Sequence, residues 1–107
     1  MPLPAFAAAL AMSAAPAPIQ LTASPEGALT RFEVVGQSAS PVTARYELEI
    51  TGGTGNRNRN AGTATLRPGE RHVFATVRIN DARYEARLRV LGADGRQLSE
   101  QVLRSPD

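Results

Sequence analysis

The chain predicts an all-β fold, an immunoglobulin-like β-sandwich of about seven antiparallel strands. Three observations carry this: apolar and polar residues alternate with a period of two, turn-forming residues recur at regular intervals, and no stretch of helical length keeps a 3.6-residue period. The alternation is clearest in VTARYELEI, where Val42, Ala44, Tyr46, Leu48 and Ile50 share one face and Thr43, Arg45, Glu47 and Glu49 the other. RYEARLRVL repeats it, with Tyr84, Ala86, Leu88 and Val90 facing in and Arg83, Glu85, Arg87 and Arg89 facing out.

Weaker segments complete the set. IQLTA (Ile19 to Ala23) and ALTRFEVVG (Ala28 to Gly36) precede the strong pair, and GTATL (Gly62 to Leu66) and HVFATVRI (His72 to Ile79) separate its members. QLSEQVL (Gln97 to Leu103) follows. Turn chemistry stands between them at Ser24-Pro25-Glu26-Gly27, Arg67-Pro68-Gly69-Glu70, Asn80-Asp81 and Ala93-Asp94-Gly95. Asn80-Asp81 is expected to close a hairpin between the fifth and sixth strands, and Asp94-Gly95 one between the sixth and seventh.

Thr51 to Gly62, TGGTGNRNRNAG, has almost nothing to bury and is expected to be the long loop between the third and fourth strands. Its glycines do not make a phosphate cradle, because Asn58 stands where a third glycine of G-x-G-x-x-G would be and no Lys-Ser/Thr pair follows. What remains is a flexible connector whose Arg57 and Arg59 are either solvated or auxiliary contacts for an acidic partner.

Composition narrows the function. A chain of 107 residues has room for one domain, assigned to 19–107. Hydrophobic residues make up 42% but aromatics 5%, with no tryptophan, so the core must be aliphatic around Phe32, Tyr46, Phe74 and Tyr84. All 12 basic residues are arginine against 10 acids, a net charge of +2. That balance favours mild attraction to acidic partners and falls short of the dense basic surface of a nucleic-acid binder. The absence of cysteine removes disulfides, thiol catalysis and thiolate metal sites.

Residues 1–18, MPLPAFAAALAMSAAPAP, carry no charge and end near Ala15-Pro16-Ala17, a small-x-small pattern. They read as a secretory signal peptide or a disordered leader. The prolines interrupt the apolar run and leave it shorter than the ~20 residues of a spanning helix, so no membrane insertion of the mature domain is expected.

Catalysis finds little support. His72 is the only histidine, so a Ser-His-Asp set or a metal site would rest on it alone, and a single histidine at a strand start reads as a surface residue. Glu47 and Glu49 share a face at i, i+2, but beside arginines they read as cross-strand ion-pair partners rather than an acid and a base. The third and sixth strands are neighbours in such a sandwich, which sets Arg45, Glu47 and Glu49 against Arg83, Glu85, Arg87 and Arg89. The plain reading is a solvated sheet face held by weak ion pairs of ~0–1 kcal/mol each. The functional one is an arginine-rich face that meets an acidic or unfolded chain through brief bidentate contacts.

The order SPVTARYELEI, a Gly/Asn-rich segment, GTATLRPGE and then ARYEARLRVLGADG resembles the alphaproteobacterial CsgH curli-assembly proteins, relatives of the enterobacterial inhibitor CsgC. The resemblance runs from about Ile19 to Leu103. It implies an immunoglobulin-like periplasmic protein that keeps curli amyloid subunits from polymerising prematurely, below stoichiometric amounts and through transient contact, with no cofactor, metal or reaction. The enterobacterial relatives carry a Cys-x-Cys pair near the start of the third strand. Val42-Thr43-Ala44 occupies that place here, so thiol exchange does not apply.

The expectation is therefore a monomeric periplasmic inhibitor of a curli-type amyloid subunit, not an enzyme and not a nucleic-acid binder. Its client-binding face is expected at Arg45, Glu47, Glu49, Arg83, Arg87 and Arg89, with Arg57 and Arg59 as auxiliary loop contacts. The alternative is an immunoglobulin-like structural or adhesion module that docks to a cell-envelope partner by pairing at a strand edge.

Overall fold

A computed structural model describes residues 17–106. The leader assigned to 1–18 lies, up to residue 16, outside the described residues. Seven strands follow: β1 (Ile19–Glu26), β2 (Leu29–Gln37), β3 (Val42–Gly52), β4 (Arg57–Leu66), β5 (Arg71–Ile79), β6 (Tyr84–Leu91) and β7 (Gln97–Arg104). They form a three-stranded sheet, β1-β2-β5, and a four-stranded sheet, β4-β3-β6-β7, with every pair antiparallel. β4 stays beside β3, where the constant-type immunoglobulin arrangement would place its fourth strand in the other sheet.

The alternation sets what the two layers bury. Ile19, Leu21, Phe32 and Val34 from one sheet meet Ala44, Leu48, Ile50, Ala64, Leu66, Ala86 and Leu88 from the other, all at most 2% exposed. No charged or polar side chain is buried among the described residues, so the core carries no desolvated charge. Phe32 packs edge-on against Tyr84, with centroids 4.9 Å apart and planes at 88°.

Three sequence expectations change. Thr51 to Gly62 is not a loop: β3 runs through Gly52, β4 begins at Arg57, and ten consecutive pairs join the two strands from Val42↔Leu66 to Thr51↔Arg57. Gly53-Thr54-Gly55 makes the turn, with the Gly52 amide donating to the Asn56 carbonyl (2.8 Å), the Gly55 amide to that of Gly52 (3.0 Å), and Gly55 at φ 94°. The β6–β7 turn repeats these bonds from Gly92 to Arg96 and from Gly95 to Gly92, with Gly95 at φ 84°. A three-residue hairpin loop needs a left-handed residue at its end, and glycine supplies it in both. The segment reads as loop because an edge strand, wet on both sides near the turn, needs no apolar residues.

Second, Ser24, Pro25 and Glu26 belong to β1, and the turn is Gly27-Ala28, between Glu26 and Leu29. β1 is an edge, where proline removes no ladder bond. Third, Asn80-Asp81 closes no hairpin, because β5 and β6 lie in different sheets and the chain crosses between layers there. The Thr54 hydroxyl donates to the Asp81 carboxylate (3.2 Å) and the Gly53 amide to the Arg83 carbonyl (2.8 Å), tying that crossover to the β3–β4 turn.

The two open sides of the sandwich are closed by single side chains. Tyr46 on β3 lies opposite Gly62 on β4, and its hydroxyl donates to the Phe74 carbonyl of β5 (3.4 Å). A Cβ on Gly62 would stand 2.8 Å from that hydroxyl, so the ring requires glycine. On the other side, the Gln101 carboxamide of β7 accepts from the Leu21 amide (3.0 Å) and donates to the Leu21 carbonyl (2.8 Å) of β1.

Candidate functional site

The outer face of β4-β3-β6-β7 is a grid fixed by register. Its rows are Arg57-Thr51-Glu85-Arg104, Arg59-Glu49-Arg87-Val102, Ala61-Glu47-Arg89-Glu100 and Thr63-Arg45-Leu91-Gln97. Successive side chains of a strand point to opposite faces, so Glu47 and Glu49 give β3 an acidic middle while Arg57 with Arg59 and Arg87 with Arg89 make β4 and β6 basic. Across the two middle rows, sign thus alternates from strand to strand.

Ion pairs link the stripes. Arg89 Nη1 lies 3.4 Å from Glu47 Oε1. Glu49 Oε2 is shared by Arg57 Nε at 3.4 Å and Arg59 Nε at 3.3 Å. Arg87 reaches Glu85 at 3.4 Å and Glu100 at 3.6 Å, and Arg104 reaches Glu85 at 3.6 Å. Six arginines, at 45, 57, 59, 87, 89 and 104, face four glutamates, at 47, 49, 85 and 100, so the surplus is positive. Arg59 and Arg104 are the freest paired members, with side chains 73% and 69% exposed, and Arg57 follows at 61%. Ala61 is the small residue among them, and over it lies a shallow open depression lined by Glu47, Glu49, Arg59, Arg87, Arg89 and Glu100.

Of the residues expected to form the face, Glu47, Glu49, Arg87 and Arg89 are brought together at its centre. Arg57 and Arg59 join them as strand residues, correcting their placement on a loop. Arg45 lies at the margin, between Thr63 and Leu91, with no ion pair among the described residues. Arg83 lies just before β6, one row beyond the grid and opposite Gly53, whose amide donates to its carbonyl; it makes no ion pair among the described residues. Glu85, Glu100 and Arg104 complete the network and were not among the expected site residues. The β7 pair has a sequence signal, the i, i+4 spacing of Glu100 and Arg104 about Val102, but a bulge at Leu98 hides its phase.

The opposite outer face has one notable cluster. Arg31 and Arg78 stand across from each other on β2 and β5, and Glu26 bridges them at 3.3 and 2.5 Å. The hydrogen bond from Arg78 holds the Glu26 carboxyl below the ordinary glutamate value, and Glu26 raises Arg78 above the ordinary arginine value. His72 is exposed, with its ring 4.6 Å from that of Phe74. No group of three or more potential metal-binding side chains occurs among the described residues.

Fold and face together define the class: a seven-stranded, two-layer β-sandwich whose larger sheet shows solvent a striped, arginine-rich surface. No protein-family model and no curated protein matches the chain. Among solved structures it is similar to CsgH of R. palustris, at 20% identity over 80% of this chain and 89% of that one, TM-score 0.58. It is also similar to the E. coli curli protein CsgC, at 12% identity over 83% and 97%, TM-score 0.55. The fold is that of CsgH and CsgC.

Proposed function

We propose that the protein is a periplasmic inhibitor of a curli-type amyloid subunit, acting substoichiometrically by transient contact of its arginine-rich sheet face with the client. The observation that carries this reading is the positive surplus on the β4-β3-β6-β7 face, presented by a fold shared with a curli protein. Guanidinium groups pair carboxylates and amides without a deep pocket, which suits a client that has not yet folded. Exposed charge contacts are brief and screened by salt. A molecule that visits a nascent nucleus and leaves again delays many nucleation events, because it is not consumed with its target. The reading needs no cofactor and no covalent step.

The test is thioflavin T fluorescence of a curli-type subunit with the protein at a few percent molar ratio. A lengthened lag that shortens again as salt is raised is the expected result. An unchanged lag at equal molar amounts overturns the proposal, and salt-tolerant stoichiometric binding to an envelope protein would replace it with the docking module.

A further inference from the structure

The four sheet edges are not equally protected. β1 carries Pro25, and its Leu21 main chain is occupied by the Gln101 carboxamide. β5 has a bulge at Phe74, where the register against β2 shifts, and β7 has one at Leu98. Proline, bulges, covering groups and edge charges are the usual means by which a β-protein prevents another strand from adding to it, and a charge repels only a strand of its own sign. β4 is the exception: its ten pairs with β3 run without a shift, and it contains no proline.

The ladder also shows which groups are free. Gly52 donates to Asn56, and antiparallel pairs alternate between bonded and unbonded, so Asn58, Asn60, Gly62 and Ala64 direct their amides and carbonyls toward β3. Those of Arg57, Arg59, Ala61, Thr63 and Thr65 point the other way, and no main-chain partner takes them up among the described residues. The same parity holds on β1, where the Leu21 main chain points away from β2 to Gln101, and Pro25, two pairs of residues further on, falls on that outward phase.

We infer that the β4 edge accepts an added strand, an extended polypeptide segment with acidic side chains at alternate positions. Main-chain bonds to Arg59, Ala61 and Thr63 supply the docking, and the side chains of Arg57 and Arg59 select the charge. These two arginines share one carboxylate, Glu49, so a positive charge stands unmatched on the outer face beside the edge. An incoming strand places every second side chain on that face, next to them. On the other face it meets Asn58, Asn60 and Gly62, which favour small or amide side chains. The site differs from the face contact proposed above in using backbone rather than side-chain groups, and it does not require the partner to be a curli subunit.

The test uses the intact protein and two capped ten-residue peptides, one alternating glutamate with threonine and one alternating lysine with threonine. Peptide binding is followed by amide hydrogen exchange in nuclear magnetic resonance spectra. The acidic peptide is expected to slow exchange at Arg59, Ala61 and Thr63 while leaving Asn58, Asn60 and Gly62 unchanged; the lysine peptide should do neither. Ala61→Pro removes an outward amide without removing a bond to β3, as Pro25 does on β1, and should weaken acidic-peptide binding about tenfold. Protection absent from all three outward amides, equal binding of both peptides, or a β4 edge paired with a second copy of the chain would each overturn the inference. The wild-type exchange pattern decides even if the proline variant unfolds, and a retained thioflavin T delay with no edge protection would sink the edge alone and leave the face reading standing.

Discussion

Glu47 on β3 and Arg89 on β6 stand directly opposite each other, and their side chains close to 3.4 Å across the centre of the larger sheet. The pair is exposed on both sides, so it contributes at most ~1 kcal/mol to stability. Its weight lies in where it puts each sign. Exchanging the two as Glu47→Arg with Arg89→Glu keeps the ion pair and the net charge but breaks the stripes. The midpoint of urea unfolding should stay close to the wild type while inhibition of fibre formation falls several-fold.

Arg83, one row beyond the grid and without an ion pair among the described residues, gives a paired comparison with Arg87. Arg87→Glu places a third carboxylate beside Glu85 and Glu100 and should shorten the thioflavin T lag toward that of the client alone. Arg83→Glu carries the same change of charge and should leave most of the delay in place. Equal loss in both variants would mean that only total charge matters.

Gly62 should not tolerate a side chain. A Cβ there meets the Tyr46 hydroxyl and ring, so Gly62→Ala must displace a buried aromatic group and is expected to cost about 1–3 kcal/mol in denaturant unfolding.

Gln101→Leu tests the closure on the other side. It leaves the Leu21 amide and carbonyl without partners in a partly buried seam, at about 1–3 kcal/mol. The same change exposes the β1 edge, so concentration-dependent association by light scattering should accompany the lost stability.

Stability should also depend on acid through Glu26. Its carboxyl is held below the ordinary value in the folded state, so the folded form binds that proton less readily than the unfolded chain. The stabilisation is present above the unfolded value, about pH 4, and is lost as pH falls through the lower folded value. Glu26→Gln should therefore flatten the part of the acid-unfolding profile below about pH 4, with little change in the slope between pH 6 and 8.

The layers and their inward residues were legible because burial imposes a period of two, and β3 and β6 show it without interruption. The β3–β6 neighbour relation followed from the fold class, which brought Glu47, Glu49, Arg87 and Arg89 together. The second half of β4 was legible in GTATL, but its first half reads as loop because Arg57 to Asn60 are hydrophilic on both faces, and a strand held there by main-chain pairs leaves no apolar signature. Asn80-Asp81 carried good turn chemistry, yet turn residues do not say whether the chain returns to its own sheet or crosses to the other. The bulge at Leu98 shifts the phase of β7 without changing its composition, and so concealed the place of Glu100 and Arg104 on the grid.

The reversal of sign from one strand to the next in the two middle rows has a consequence for the kind of object this surface tolerates. In a mature in-register fibril, identical residues stack about every 4.8 Å, so each column carries a single polarity along its whole length. Laid against the grid with strands aligned, such a column is drawn to one strand and pushed from its neighbour, and the gains cancel as it lengthens. A lone chain, or the first two strands of an assembly, can choose a matching lane and suffers no such cancellation. Under the proposed function, the pattern would therefore discriminate by the size of its target, favouring the smallest precursors over finished fibres.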